Sequence, residues 1–225
     1  DRPEALRELT NLAAANPTSI DTLTVLADML RRDKQYDKAA GVYTQAIGVD
    51  SGTRPGDWIL YYGRGIAYER GGHWDKAQPD FLKALQLNPG QPDVLNYLGY
   101  TWVDKGQNLG QALGMIQQAV KATPTDGFIV DSLGWAFYKL GRIPDAVSTL
   151  EQAVQLKPND PQINDHLGDA YWKAGRRLEA HFQWNVAASL DPDATLKAEL
   201  QKKQASGLDS ATASATAGST ATVTQ

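Results

Sequence analysis

The chain repeats itself at a fixed interval. Gly134, Phe137, Ala146, Leu150, Ala153 and Pro158 return as Gly168, Tyr171, Ala180, Trp184, Ala187 and Pro192, every pair 34 positions apart (168 − 134 = 34; 192 − 158 = 34). Self-similarity at this period implies two-helix units that bury their apolar faces against one another instead of around a single centre. Within a unit, an apolar helical segment from Phe128 to Leu140 stops at Gly141. A second, from Ile143 to Leu156, stops before Pro158, so each unit reads as a helical hairpin. Small residues are needed where two helices cross closely, and bulky ones fill the gaps between crossings. Gly134, Ala146 and Ala153 against Phe137 and Leu150 follow that alternation.

Extending the phase divides the chain. Residues 1–19 keep the spacing of a second helix (Ala5, Leu9, Leu12, Pro17) and read as half of a truncated repeat. The expectation is a fragment of a longer protein with repeats upstream. The alternative is a native half-repeat acting as a cap. The full units are 20–53, 58–91, 92–126, 127–160 and 161–194. Residues 54–57 are an insertion, since Ala27 to Gly65 is 38 positions instead of 34 (65 − 27 = 38), and Asp57 stands where it would cap a helix starting at Trp58. The insertion reads as a longer turn, with a binding loop as the functional alternative. The third unit carries one extra residue near Gln107 to Gly110, and Pro79 falls early in a second helix, where a slight kink is expected. Residues 193–205, polar with Leu196 and Leu200 four apart, read as a capping helix. Residues 206–225, nearly all Ala, Ser, Thr and Gly, read as a disordered tail.

Composition narrows the function. With 22 basic against 26 acidic side chains and a net charge of −4, the chain lacks the basic face that phosphate contact requires, so nucleic acid is excluded as a general partner. With 0 cysteines there is no disulfide framework and no thiolate metal site, and either redox compartment is compatible. No apolar run approaches the roughly 18 residues of a membrane span. No cofactor motif is present, because the glycines are scattered by the repeat instead of clustered as a phosphate loop. Asp165, His166 and Asp169 sit within one helical turn, but no further ligand cluster accompanies them and no metal is assigned. Nor does any motif place a nucleophile. Trp74, Trp102 and Trp184 fall at packing positions, whereas Trp135 and Trp172 do not.

These residues resemble the tetratricopeptide repeat (TPR) pattern. The resemblance implies an all-α, right-handed solenoid of helix-turn-helix units with a C-terminal capping helix. It also implies a concave face lined by the first helices, on which the family binds peptides. Phased on that pattern, the groove residues are Tyr62 with Ile66, then Asn96, Tyr97 and Tyr100, then Asp131, Trp135 and Tyr138, and finally Asp165, His166, Asp169 and Trp172. Spacings of three and four place each set on one helix face. The carboxylate clamp of chaperone-binding members is absent, since the matching fifth positions are Thr24, Tyr62, Asn96, Asp131 and Asp165. What remains is an aromatic, acidic groove suited to a ligand carrying Lys or Arg among apolar residues. On that reading, Asp165 and Asp169 are open to solvent, and neither Trp135 nor Asp165 is a packing residue.

A finer resemblance covers about Asp93 to Asp193. The segments LNYLGYTWVDKGQNLGQALGMIQQAV, DGFIVDSLGWAFYKLGR and INDHLGDAYWKAGRRLEAHFQW are similar to the C-terminal repeats of Gram-negative bacterial TPR proteins. Exported lipoproteins that act as adaptors for periplasmic C-terminal processing proteases belong to that group. The resemblance implies a non-catalytic scaffold for a protein or peptide, in the periplasm or at the outer membrane, with the cytoplasm as the alternative. Self-assembly through the half-repeat and service as a regulatory enzyme subunit are the rival readings.

Overall fold

The computed structural model describes residues 2–49 and 54–208. Among them the chain forms twelve α-helices and no strand: α1 (Arg2–Ala15), α2 (Ile20–Arg32), α3 (Tyr36–Val49), α4 (Trp58–Arg70), α5 (Trp74–Leu87), α6 (Pro92–Asp104), α7 (Leu109–Ala122), α8 (Gly127–Lys139), α9 (Ile143–Leu156), α10 (Pro161–Lys173), α11 (Arg177–Ser189) and α12 (Ala194–Ser206). A short 3-10 turn, Pro55–Asp57, precedes α4. This is an all-α helical repeat solenoid, in which α2, α4, α6, α8 and α10 are the first helices of successive hairpins.

One terminator is used five times. At the end of each first helix a residue adopts the left-handed conformation: Lys34 (φ 59), Gly72 (φ 83), Gly106 (φ 66), Gly141 (φ 73) and Gly175 (φ 80). The next residue's N–H then returns to the last turn, as from His73 to the Tyr68 carbonyl at 2.8 Å and from Arg176 to the Tyr171 carbonyl at 2.9 Å. This Schellman closure satisfies carbonyls that the helix end would otherwise leave open, and glycine adopts it without a Cβ clash. The extra residue of the third unit is Asn108, also left-handed (φ 46), a conformation that Asn tolerates better than most residues. It lengthens the turn without altering the closure. Ser19, Asp126, Asp160 and Asp193 accept N–H groups at the starts of α2, α8, α10 and α12.

The chain divides within α6 into two compact units, Asp1–Leu98 and Gly99–Gln225. In the first, Leu23, Leu26, Ala27 and Leu30 of α2 pack against Ala39, Ala40, Tyr43 and Ala46 of α3 and Leu60 and Ala67 of α4. Helix α1 adds Ala13, with Leu6 and Leu9 partly buried, and leaves Leu12 exposed. In the second, Phe137, Leu150, Leu167, Tyr171 and Trp184 share a core with Leu196 and Leu200 of α12. Burying side chains of this size contributes about 2 to 3 kcal/mol each before entropy is counted. The paired glycines are forced by approach: a Cβ on Gly134 would lie 2.6 Å from Leu150 Cγ, and one on Gly168 2.5 Å from Trp184 Cδ1. Pro79, exposed in the second turn of α5, leaves the helix continuous to Leu87.

Two local expectations need correction. Asp57 makes no side-chain bond to the start of α4. Its carboxylate turns back instead, accepting the Arg54 amide at 2.9 Å and the Arg54 guanidinium at 3.2 Å, because the insertion folds as a 3-10 turn with its own donors nearby. In the stretch read as a disordered tail, Ser206 ends α12, and Leu208 packs partly buried against the second unit's core. Residues 209–225 lie outside the described residues.

Candidate protein-binding face

The residues singled out for the groove fall in both units. In the first, Tyr62 of α4 stands edge-on to Tyr97 of α6, ring centres 6.0 Å apart, and both rings contact Phe81. The Tyr97 hydroxyl donates to Glu69 at 2.9 Å. Burial first, and the Glu69 charge second, push the Tyr97 phenol up to about 12. Asn96 is half-buried, and its Oδ1 is a buried acceptor without a partner.

In the second unit the set divides into a stack and a charged cluster. Trp135 lies between Tyr138 (4.7 Å, 10° between planes) and His166 (4.1 Å, 13°), with Lys139 over its ring at 5.4 Å. His166 Nδ1 bonds both oxygens of Asp131, at 2.9 and 3.0 Å, joining α10 to α8. Its Nε2 lies 3.0 Å from the Gln162 amide nitrogen. Tyr100, also in this unit, is half-buried.

The carboxylates are not open to solvent. Asp131, Asp165, His166 and Asp169 are 6%, 2%, 3% and 5% exposed. Lys203 of α12 places its ammonium 2.7 Å from both oxygens of Asp165 and 2.9 Å from Asp169. Asp169 also accepts the Trp184 indole N–H at 3.0 Å, tying α10 to α11 of its own hairpin. The expected solvated acidic face is therefore a buried network, because α12 lies on the end of the array and supplies the counter-ion. Asp165 and Asp169 are consequently structural, and so in part is the stacked Trp135.

Electrostatics follow from this crowding. Burial, then the neighbouring Asp169, raise the Asp165 carboxyl to about 6 against the opposing pull of Lys203. For His166, burial alone would lower the pKa, but Asp131 first and then Asp165 and Asp169 outweigh it and hold it above its ordinary value. Lys203 is likewise raised, its two carboxylates outweighing burial. Among the described residues no group of three or more His, Cys, Asp or Glu could hold a metal ion.

Fifth positions thus follow one rule along these helices. Asp131 is taken by His166 of the next first helix, and Asp165 by Lys203 of α12. Lys203 was absent from the sequence-derived set although it lies one period beyond Asp169 (169 + 34 = 203), a signal readable from the repeat. Among the described residues, the buried side-chain polar atoms without a partner are Arg31 Nε, Asn96 Oδ1, Trp135 Nε1 and Trp172 Nε1 on first helices and Gln183 Oε1 on α11.

Geometry of this kind defines a helical-repeat interaction module, and comparison with known proteins gives its family. A profile described as "TPR repeat" matches residues 134–175, and two described as "Tetratricopeptide repeat" match 58–91 and 22–55. The chain is a tetratricopeptide repeat protein. A "TPR repeat-containing protein" of Pseudomonas aeruginosa is 31% identical over 144 residues, 64% of this chain; the chain spans about a quarter (24%) of that relative's length. Among solved structures, a thermophilic TPR protein of Thermus thermophilus superposes with TM-score 0.67 at 22% identity, covering 84% of this chain and 99% of that one. The APC/C hetero-tetramer Cut9–Hcn1 gives 0.78 at 20%, covering 92% and 40%. YrrB, described as a TPR protein with an unusual peptide-binding site, gives 0.60 at 23%, covering 86% and 97%. At these identities the structural likeness speaks for the fold alone. The TPR fold is that of a protein-interaction scaffold, and no helix among the described residues is long and apolar enough to cross a membrane.

Proposed function

We propose that this chain is a non-catalytic adaptor that holds a protein or peptide segment along its first helices and presents it to a bacterial envelope complex, such as one containing a C-terminal processing protease. The observation that carries the binding reading is the half-buried aromatic side chains on first helices: Tyr62 and Tyr97 in the first unit, and Trp135, Tyr138 and Trp172 in the second. Such rings offer contact area at low entropic cost and attract cations, so the segment carries Lys or Arg among apolar residues. The envelope setting, periplasmic or outer-membrane-associated, rests on the resemblance of residues 93–193 to adaptors of that kind.

The test is hydrogen exchange of the whole chain with and without a purified periplasmic C-terminal processing protease. Protection is expected in the first helices, α2, α4, α6, α8 and α10, and Trp135→Ala weakens binding by roughly 30-fold in affinity, as loss of an anchoring aromatic does. Protection confined to the second helices, or none, overturns the reading.

A further inference from the structure

Between α2 and α4 the first unit holds a cavity of about 640 Å³, walled at one end by the inserted 3-10 turn. Nothing in the second unit's pattern of residues repeats its lining. Thr24 and Val25 occupy the fifth and sixth positions of their hairpin. The equivalent pairs, Asp131 with Ser132 and Asp165 with His166, are all buried, and their side chains are hydrogen-bonded. Val25 instead is 55% exposed, and Ile59 across the cavity is 48% exposed. Two large apolar side chains facing one open volume leave more than one methyl-lined surface in water, which packing within the unit does not require.

The polar groups around the cavity are nearly all engaged with one another. Thr24 donates to the Ile20 carbonyl at 2.7 Å, and Arg54 and Asp57 hold each other across the turn. Asp21, exposed at the first turn of α2, makes no ion pair or side-chain hydrogen bond among the described residues. The charge left over is therefore negative and lies beside an apolar volume. Gly56 closes the lining with open space where a Cβ would stand, so the mouth is not obstructed there.

We infer that this cavity is a docking site for a peptide segment that inserts one large apolar side chain between Val25 and Ile59 and sets an adjacent Lys or Arg on Asp21. The inference rests on the reading of the first helices as a binding face, and it names where on that face the segment is anchored and by what chemistry. The insertion at 54–57 builds the site, since its 3-10 turn supplies the end wall.

The experiment titrates the isotopically labelled whole chain with three blocked peptides and follows backbone amide signals. One peptide has isoleucine next to lysine, one has glutamate in place of the lysine, and one has serine in place of the isoleucine. The isoleucine–lysine peptide is expected to move signals of α2, α4 and the 54–57 turn, with at least tenfold weaker binding for the other two. Ile59→Glu should abolish those shifts, and Asp21→Lys should reverse the order of the lysine and glutamate peptides. Both positions are exposed, so both variants keep the fold. Shifts that persist in Ile59→Glu, or an order unchanged by Asp21→Lys, overturn the proposal. Shifts confined to α8 and α10 overturn it while leaving the first-helix reading intact. Silence from every helix with every peptide overturns both.

Discussion

Helix α2 of the first unit and helices α8 and α10 of the second treat the same face in opposite ways. In the second, the fifth positions of α8 and α10 carry carboxylates, and each is closed by a cation or histidine from the helix two places on: Asp131 by His166 of α10, Asp165 by Lys203 of α12. In the first, the fifth position of α2 is Thr24, whose hydroxyl closes on its own helix, and the space beside it stays open. One repeat pattern thus yields a bonded ladder where polar side chains reach across and a cavity where they do not. The lesson is that a ligand-binding position inferred from phase is a position only. Whether it meets a partner or a neighbouring helix depends on what the next helix contributes.

The largest test of this contrast removes the closing cation. Lys203→Met should destabilise the second unit by about 3 to 5 kcal/mol, because two adjacent buried carboxylates lose their counter-ion. Hydrogen exchange should show the loss in α10 and α12, with α2 and α3 unchanged. Adding Asp165→Asn should restore part of it by removing one of the stranded charges. If Lys203→Met is neutral, the ladder does not hold the second unit together and the contrast fails.

A smaller effect is expected from the helix crossing itself. Gly168→Ala brings a Cβ to 2.5 Å from Trp184 Cδ1, so the indole must move within a filled core. Overpacking of this kind costs about 1 to 3 kcal/mol. Urea unfolding of the variant measures it, and the matching position in the first hairpin is Ala27, which tolerates its Cβ opposite Tyr43.

What was legible in the sequence follows from the range of the interactions. The hairpins, their glycine closures and the small-against-large alternation depend on residues within one period, so phase alone places Gly134 opposite Leu150 and Gly72 at the end of α4. The state of the acidic residues depends on Lys203, 38 positions beyond Asp165, and on the seating of a helix whose own apolar stripe is only two leucines. The role of Asp57 was misread for the opposite reason: a cap to α4 and a bond back to Arg54 are both local, and only the backbone path chooses between them. The cavity beside Val25 needed coordinates, because an insertion's length says nothing of the volume beside it.

The ladder also predicts a pH dependence that the first unit should lack. The groups facing the cluster are Asp131 and Tyr138 of α8, Asp165, His166 and Asp169 of α10, and Lys203 of α12. Asp165 is raised from 3.8 to about 6, so its contribution to stability is fully present below 3.8 and is lost as pH rises through about 6. His166 is raised from 6.5, so its contribution is present below 6.5 and is lost as pH rises through the folded value. Both have the same sign, and each full proton taken up on folding adds a slope of about 1.4 kcal/mol per pH unit. The opening free energy of α10, compared with that of α2, should fall between pH 5 and pH 8. A constant difference across that range means that the cluster does not bind protons on folding.

The smallest expected effect reverses the direction and lies in the first unit. Four of the five first helices end on a left-handed glycine, and the fifth ends on Lys34 in the same conformation at φ 59. A left-handed residue with a Cβ costs roughly 1 kcal/mol or more relative to glycine, while glycine gives back part of that through the greater freedom of the unfolded chain. Lys34 is exposed, so its side chain contributes little packing that the change would forfeit. Lys34→Gly should therefore stabilise the first unit by about 0.5 to 1 kcal/mol, read as slower exchange in α2 and α3, with α8 to α12 unaffected. The control is Gly141→Ala, which imposes on the second unit the strain that Lys34 places on the first and should destabilise it by about 1 kcal/mol. If Lys34→Gly is neutral while Gly141→Ala is costly, Lys34 is held by something other than the shared closure, and the equivalence of the five helix ends breaks at the first.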